Sequence, residues 1–221
     1  THAIIGAVTA GYDTSEHDMY PALHHRLDPA MLLMADRGFF SYTAWKDSSA
    51  TGAQLLWRMR ANNILPVTEE LPDGSYLSAI YPDTKARRNN TGAIPVRVIE
   101  YTVTSGENTS DFRLITTILD PAQAPADDLA GLYARRWEIE SCFDELKTHQ
   151  RGPSIVLRSK TPDGVLQEIY GYLCAHYALR SLIADVAHQF EEDPLRLSFT
   201  RTLRAARRTI AGPPAFSPSP S

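Results

Sequence analysis

Cysteine is scarce in this chain: 221 residues contain two, Cys142 and Cys174. They lie far apart and form no Cys-x-x-Cys pair, so neither a disulfide framework nor a thiolate zinc site is indicated. Both read as buried small hydrophobes. No uncharged apolar run reaches the roughly 18 residues of a membrane span, and no signal-peptide pattern is visible, so no membrane partner is expected. Net positive charge is also missing. The formal charge is −4, so bulk electrostatics do not by themselves point to nucleic acid. The seven histidines make no metal constellation; His24 and His25 are adjacent and point apart on a helix, and His149 ends a helical stretch. There are no internal repeats. What remains is a globular composition, 43% hydrophobic and 22% charged, in a chain long enough for one large domain or one domain with an insertion. One local bias stands out: Arg196, Arg201, Arg204, Arg207 and Arg208 make the C-terminal segment basic.

Read along the chain, His2 to Ala10 is rich in Ile and Val and predicts a strand. Ser15 to Leu27 predicts a helix broken near Pro21. Met31 to Ala35 is a short continuous apolar run, the pattern of a buried strand, and it delivers Asp36 at its end. A short helix over Tyr42 to Ser48 and a strand over Gln54 to Met59 follow. Residues 64–93 are turn-rich, with Pro72-Asp73-Gly74 and Asn89-Asn90. Val96 to Val103 and Phe112 to Leu119 predict a hairpin. Asp127-Asp128 open a helix, where carboxylates suit the dipole, and Gly152-Pro153 close it. A long helix over Val165 to Phe190 has Leu166, Ile169, Tyr170, Leu173 and Tyr177 at helical spacing, read as packing. A basic helix near Phe199 to Arg208 comes next, then a Gly/Pro/Ser-rich tail over Ala211 to Ser221 expected to be disordered.

The stretch Leu132 to Gln150, LYARRWEIESCFDELKTHQ, carries the most information. On an ideal helix of 3.6 residues per turn, Arg136, Glu140 and Lys147 fall at roughly 300°, 340° and 320° from Tyr133, so all four share one face. Leu132, Ile139, Phe143 and Leu146 cluster beside them and are expected to anchor the helix. A carboxylate flanked by two cations and a phenol suits a metal ion holding a phosphodiester.

The spacing Tyr133-x2-Arg136-x3-Glu140-x6-Lys147 resembles the signature of DDE transposases of the insertion sequence four branch. Met31 to Phe40, MLLMADRGFF, resembles the strand that ends in their second catalytic Asp, here Asp36. The resemblance covers roughly Thr1 to Arg180. It implies a ribonuclease H-like α/β fold: a mixed sheet flanked by helices, with a β-rich insertion between the second and third acids. The expected layout is a first part of the core at 1–63, the insertion at 64–120, a second part at 121–190, and a basic helix with a tail at 191–221. It also implies Asp36 and Glu140 as catalytic ligands of Mg²⁺ or Mn²⁺ in a two-metal site, and Tyr133, Arg136 and Lys147 as DNA contacts. The implied partners are insertion-sequence ends and target DNA, with a homodimer in the synaptic complex. The implied location is cytoplasmic and nucleoid-associated. The first Asp of the triad has no match. Asp13 and Asp18 sit in DTSEHD, which reads as a helix N-terminus, so the chain reads as a fragment without that Asp and its strands, inactive alone.

Each residue also has a plainer reading. Asp36 can be a turn residue after a strand. Arg136 and Glu140 can be an i,i+4 surface pair, and Lys147 part of a solvated face. Trp137 can stack on a base or pack in the core, and Trp57 has the same two readings. Other functions fit too: a ribonuclease H-like nuclease that does not transpose, or a catalytically dead remnant that binds DNA.

Overall fold

The computed structural model describes residues 2–106, 108–152 and 157–211. The chain divides into two compact units, Gly6–Arg136 and Thr1–Ile5 with Trp137–Ser221.

The first unit is built on one six-stranded sheet. Ser15 caps α1 (Glu16–Met19) by accepting from the Asp18 backbone N–H, and the chain then tightens into a 3₁₀ turn, Tyr20–Arg26, with Pro21 near its start. β1 (Leu32–Ala35), α2 (Tyr42–Ser49) and β2 (Gln54–Arg58) follow. Then come β3 (Glu69–Glu70), β4 (Tyr76–Ile80), α3 (Thr84–Arg88), β5 (Ile94–Ser105), β6 (Asn108–Thr116) and α4 (Ala126–Ala134). The strand order is β1-β2-β6-β5-β4-β3. β1 and β2 are parallel and every other pair is antiparallel, so the sheet is mixed, as expected.

Strand side chains alternate between faces, which gives the sheet two buried sides. Leu33, Ala35, Leu55, Trp57, Val96, Val98 and Ile115 pack with Trp45 of α2 on one side. Trp45 and Trp57 meet edge to face, centroids 5.4 Å apart, a geometry that aromatic quadrupoles favour. On the other side Leu32, Met34, Leu56, Ile99 and Leu114 pack against Leu129 and Tyr133 of α4.

One polar cluster fixes where α4 begins. Pro72-Asp73-Gly74 makes the β3–β4 turn, with Gly74 at φ +80°, a conformation side chains disfavour. Asp73 Oδ2 accepts from the Ala126 N–H at 2.9 Å, in the first turn of α4. The same carboxylate pairs with Arg97. Arg97 is fully buried; its Nε donates to Ser75 Oγ and its Nη1 to the Ala124 carbonyl, both at 2.7 Å. Burial pushes the Asp73 carboxyl up, but hydrogen bonds from Ser75 and Ala126 and the Arg97 charge outweigh it and hold it below the usual carboxylate range.

The second unit is helical: α5 (Glu138–Asp144), a π-helical turn over Glu145–Gln150, α6 (Pro162–Gln189), a 3₁₀ turn over Pro194–Arg196, and α7 (Phe199–Ala211). Leu179, Ile183, Phe199 and Leu203 form its apolar core. Glu145 is buried beside them, ion-paired with Arg180 and hydrogen-bonded to His176 at 3.2 Å and His2 at 3.1 Å. Arg207 donates to the Gln150 carbonyl at 2.9 Å and so satisfies the end of the π turn.

Several expectations need correction. Residues 2–10 form no strand: a strand needs a ladder, and no described strand pairs with the outer edge of β1. Between the turns of residues 64–93 lie β3, β4 and α3. The signature stretch is helical but not one regular helix. It passes through a 3₁₀ turn, Arg135–Trp137, and the π turn. Its apolar stripe does not anchor it: Leu132, Ile139 and Phe143 are exposed, and the buried members are Tyr133, Cys142, Glu145 and Gln150. Ion pairing of Glu145, not apolar contact, sets which side of α5 and the π turn faces inward. In α6 the buried residues are His176, Leu179, Arg180, Ile183 and Ala187, while Leu166, Tyr170 and Tyr177 are exposed. Cys142 is buried but Cys174 is exposed. Pro153, at the expected stop of the signature helix, and the expected disordered tail beyond Ala211 lie outside the described residues.

Candidate active site

Asp36 follows directly on β1, the parallel edge strand, and is half-buried. Its Oδ1 accepts from the Arg37 N–H at 2.7 Å, and its carbonyl accepts from Phe39 N–H at 3.0 Å, so the chain turns immediately after it. Asp36 thus makes the turn contact of the plainer reading while occupying the C-terminal end of a parallel strand, where ligands of α/β sheets gather.

Tyr133 comes to the same place from the last turn of α4. Packing of Leu129 and Ala126 on the sheet lays α4 across it, and Tyr133 is buried with its hydroxyl donating to the Ala35 carbonyl at 3.3 Å. Burial raises its phenol to about 12; Arg136 opposes the rise, Asp36 adds to it, and Arg58 opposes it. The phenol therefore stays protonated and serves as a donor. Arg136 follows one turn later, its guanidinium carbon 5.8 Å from the Tyr133 ring centroid. Three of the five predicted residues, Asp36, Tyr133 and Arg136, thus come together in the first unit.

Glu140 and Lys147 belong to the second unit. Glu140 is exposed on α5. Lys147 is exposed in the π turn, with its Nζ 5.1 Å from the Phe143 ring centroid. Asp144, one turn after Glu140, pairs with His149 at 3.1 Å. Among the described residues no three His, Cys, Asp or Glu side chains assemble into a metal-binding group. The donors at Asp36 and Glu140 are nonetheless hard carboxylate oxygens, the type that Mg²⁺ and Mn²⁺ take while keeping several waters.

The two tryptophans separate. Trp57 is buried against Trp45 and is a core residue. Trp137 is 63% exposed, so core packing is not its role in the described structure. Arg58 escaped the sequence reading. It ends β2 two residues after Leu56, and strand alternation places it on the face of Leu56, Met34 and Tyr133. That alternation, applied to QLLWR alongside MLLMAD, is the signal that could have found it.

The chain matches the transposase DDE domain family over residues 1–178. It belongs to that family, and its mixed, helix-flanked sheet is the ribonuclease H-like α/β fold of a DDE transposase. Within the family it is similar to the transposase InsG for insertion sequence element IS4 of Escherichia coli (strain K12): 24% identical over 213 residues, 95% of this chain and 48% of that protein. The transposase resemblance read from Tyr133, Arg136, Glu140 and Lys147 is thus matched at the level of the DDE family. The chain spans about half the length of the curated relative it matches. The family uses divalent metal and acts on DNA. No described helix is long and apolar enough to cross a membrane.

Proposed function

We propose that the chain is the catalytic portion of an insertion-sequence transposase, performing metal-assisted cleavage of DNA at the element's ends and strand transfer into target DNA. The observation that carries this reading is the meeting of Asp36, Tyr133 and Arg136 at the C-terminal end of β1 in a chain of the DDE family. Asp36 and Glu140 are the proposed metal ligands, with Mg²⁺ or Mn²⁺ in a two-metal site. When bound, the metal would supply Lewis-acid charge at the phosphodiester and a more acidic water or 3′-hydroxyl. Tyr133 stays neutral at neutral pH, and its single O–H, which donates to the Ala35 carbonyl here, would have to turn from it to meet a phosphate oxygen. Arg136 and Lys147 supply positive charge that orients the scissile phosphate and offsets charge developing on it. Asp36, anchored by its own turn, needs little reordering to accept a cation. Homodimerisation in the complex with paired ends, and residence at the nucleoid, are part of the same proposal.

The test uses the full-length protein and duplexes carrying the element's own terminal sequences. Mg²⁺-dependent nicking and joining that EDTA stops supports the proposal. Binding without any metal-dependent cleavage would make the chain a DNA-binding remnant. Cleavage without joining would make it a nuclease.

A further inference from the structure

Pairing of Ala35 with Trp57 in the parallel β1–β2 register puts Asp36 and Arg58 side by side, one step further along. Paired residues of parallel strands share a face, and Met34 and Leu56, two positions earlier, both pack with Tyr133. Asp36 and Arg58 therefore project toward the side that α4 covers. They do not form an ion pair with each other. The Arg58 guanidinium leans the other way, its carbon 4.0 Å from the Phe112 ring centroid. Phe112 in turn stacks on Tyr101, centroids 5.2 Å apart and planes within 14°. The register of β5 with β6 pairs Tyr101 with Phe112 directly. Asp36, Arg58, Phe112 and Tyr101 thus make a row across four neighbouring strands, beside Tyr133.

Arg58 is unlike the other well-placed arginines of this sheet. Arg97 spends its donors on Asp73, Ser75 and Ala124, and Arg113 on Glu100, Ala61 and Asn63. Arg58 has no carboxylate partner and no hydrogen-bond acceptor among the described residues; its guanidinium carbon lies over the Phe112 ring, and its N–H fork remains available. A guanidinium stacked on an aromatic face loses little freedom when it takes up a phosphate, and its fork matches two phosphate oxygens.

We propose that Arg58 is a further phosphate-binding residue of this site, held over the Phe112 ring so that its fork grips a DNA phosphate next to the one at Asp36. The inference rests on the transposase reading for the identity of the phosphate as DNA. It makes Phe112 a positioning residue, acting only through Arg58.

The experiment is a salt titration of binding by the full-length protein, using an end duplex and an unrelated duplex of the same length. Each phosphate contact contributes about 0.9 to the slope of log K against log salt for duplex DNA. Arg58→Met keeps an unbranched stem on Phe112 and removes the charge. It should weaken both duplexes alike, roughly tenfold at low salt as a charged hydrogen bond does, and flatten the slope by about 0.9. Arg58→Lys should restore the slope but only part of the affinity, because an ammonium lacks the fork. Phe112→Leu should weaken binding while leaving the slope intact. An unchanged slope for a folded Arg58→Met protein overturns the inference. If that slope is unchanged while Asp36→Ala abolishes cleavage, only the Arg58 assignment fails. If the slope falls but Asp36→Ala still cleaves, Arg58 binds phosphate and the catalytic reading fails.

Discussion

Replacing Asp73 by Asn should loosen α4, and with it Tyr133 and Arg136, although Asp73 is far from them in sequence. Asp73 holds the first turn of the helix through Ala126 N–H and neutralises Arg97, which is 0% exposed. Asn keeps one acceptor but removes the charge, leaving a guanidinium buried without a counter-charge. Breaking one side of such a pair costs about 3–5 kcal/mol. Arg97→Met removes the buried charge itself. The Asp73 side chain is 21% exposed and can turn to water, so that variant should cost about 1–3 kcal/mol, the scale of lost buried hydrogen bonds. The pair should couple, with the double variant costing less than the sum. Because the chain has two compact units, one global unfolding energy is not well defined. The assay is therefore hydrogen exchange, residue by residue: amides of α4, β4 and β5 should lose protection in Asp73→Asn, while those of α6 do not. The pH dependence follows from the depressed carboxyl. Its folded value lies below the unfolded value of about 3.9, so the stabilisation is complete above that pH and is lost as pH falls through the folded value. Equal costs for the two single variants, or an Asp73→Asn protein with α4 protected as in wild type, would refute the reasoning.

Further outcomes are expected. Glu145→Gln leaves the buried Arg180 and His176 without their carboxylate in the second unit, and exchange protection in α6 should fall by about 3 kcal/mol or more. Burial, with the Arg180 charge and against the Glu138 hydrogen bond, holds His2 below its usual value; stability of this unit should therefore be greatest above about pH 6.5 and decline as pH falls toward the folded value, which exchange at stepped pH will read. Tyr133→Phe should cost only about 1 kcal/mol in stability yet lower cleavage more than tenfold. With wild-type protein, cleavage rates should show no step near pH 10, where an ordinary tyrosine ionises, since this phenol is raised to about 12. Lys147→Ala should lower DNA affinity and flatten the salt slope by about 0.9, with little change in melting temperature, as its side chain is exposed.

The strands that set the site were legible because their patterns are strong. Met31 to Ala35 is a continuous apolar run and Gln54 to Met59 reads as a strand, and the structure places β1 and β2 there, side by side with Asp36 at the end. The β5–β6 hairpin and the long α6 followed from alternation and helical spacing in the same way. What could not be read was anything that depends on partners distant in sequence. His2 to Ala10 has strand composition but no ladder to join. Val96 to Val103 reads as a strand, but the burial of Arg97 by its partners could not be seen in it. Glu145 drew no reading of its own from the sequence; only the fold brings Arg180, His176 and His2 to it. Glu145 is buried while Glu140, Ile139 and Phe143 are exposed. For the site, the residue types and spacing of the signature were visible, but the Tyr133 contact to Ala35 and the position of Arg58 needed the sheet register.

The central claim is that Asp36 and Glu140 bind the same metal site. Iron(II) takes hard carboxylate sites like those of Mg²⁺, and with ascorbate and peroxide it cuts the protein backbone close to where it is bound. In the full-length protein the account predicts cuts near both residue 36 and residue 140, competed away by Mg²⁺ and lost at both places in Asp36→Ala alone or Glu140→Ala alone. Cuts at one place that survive loss of the other acid, or no Mg²⁺-sensitive cut at either, would contradict it.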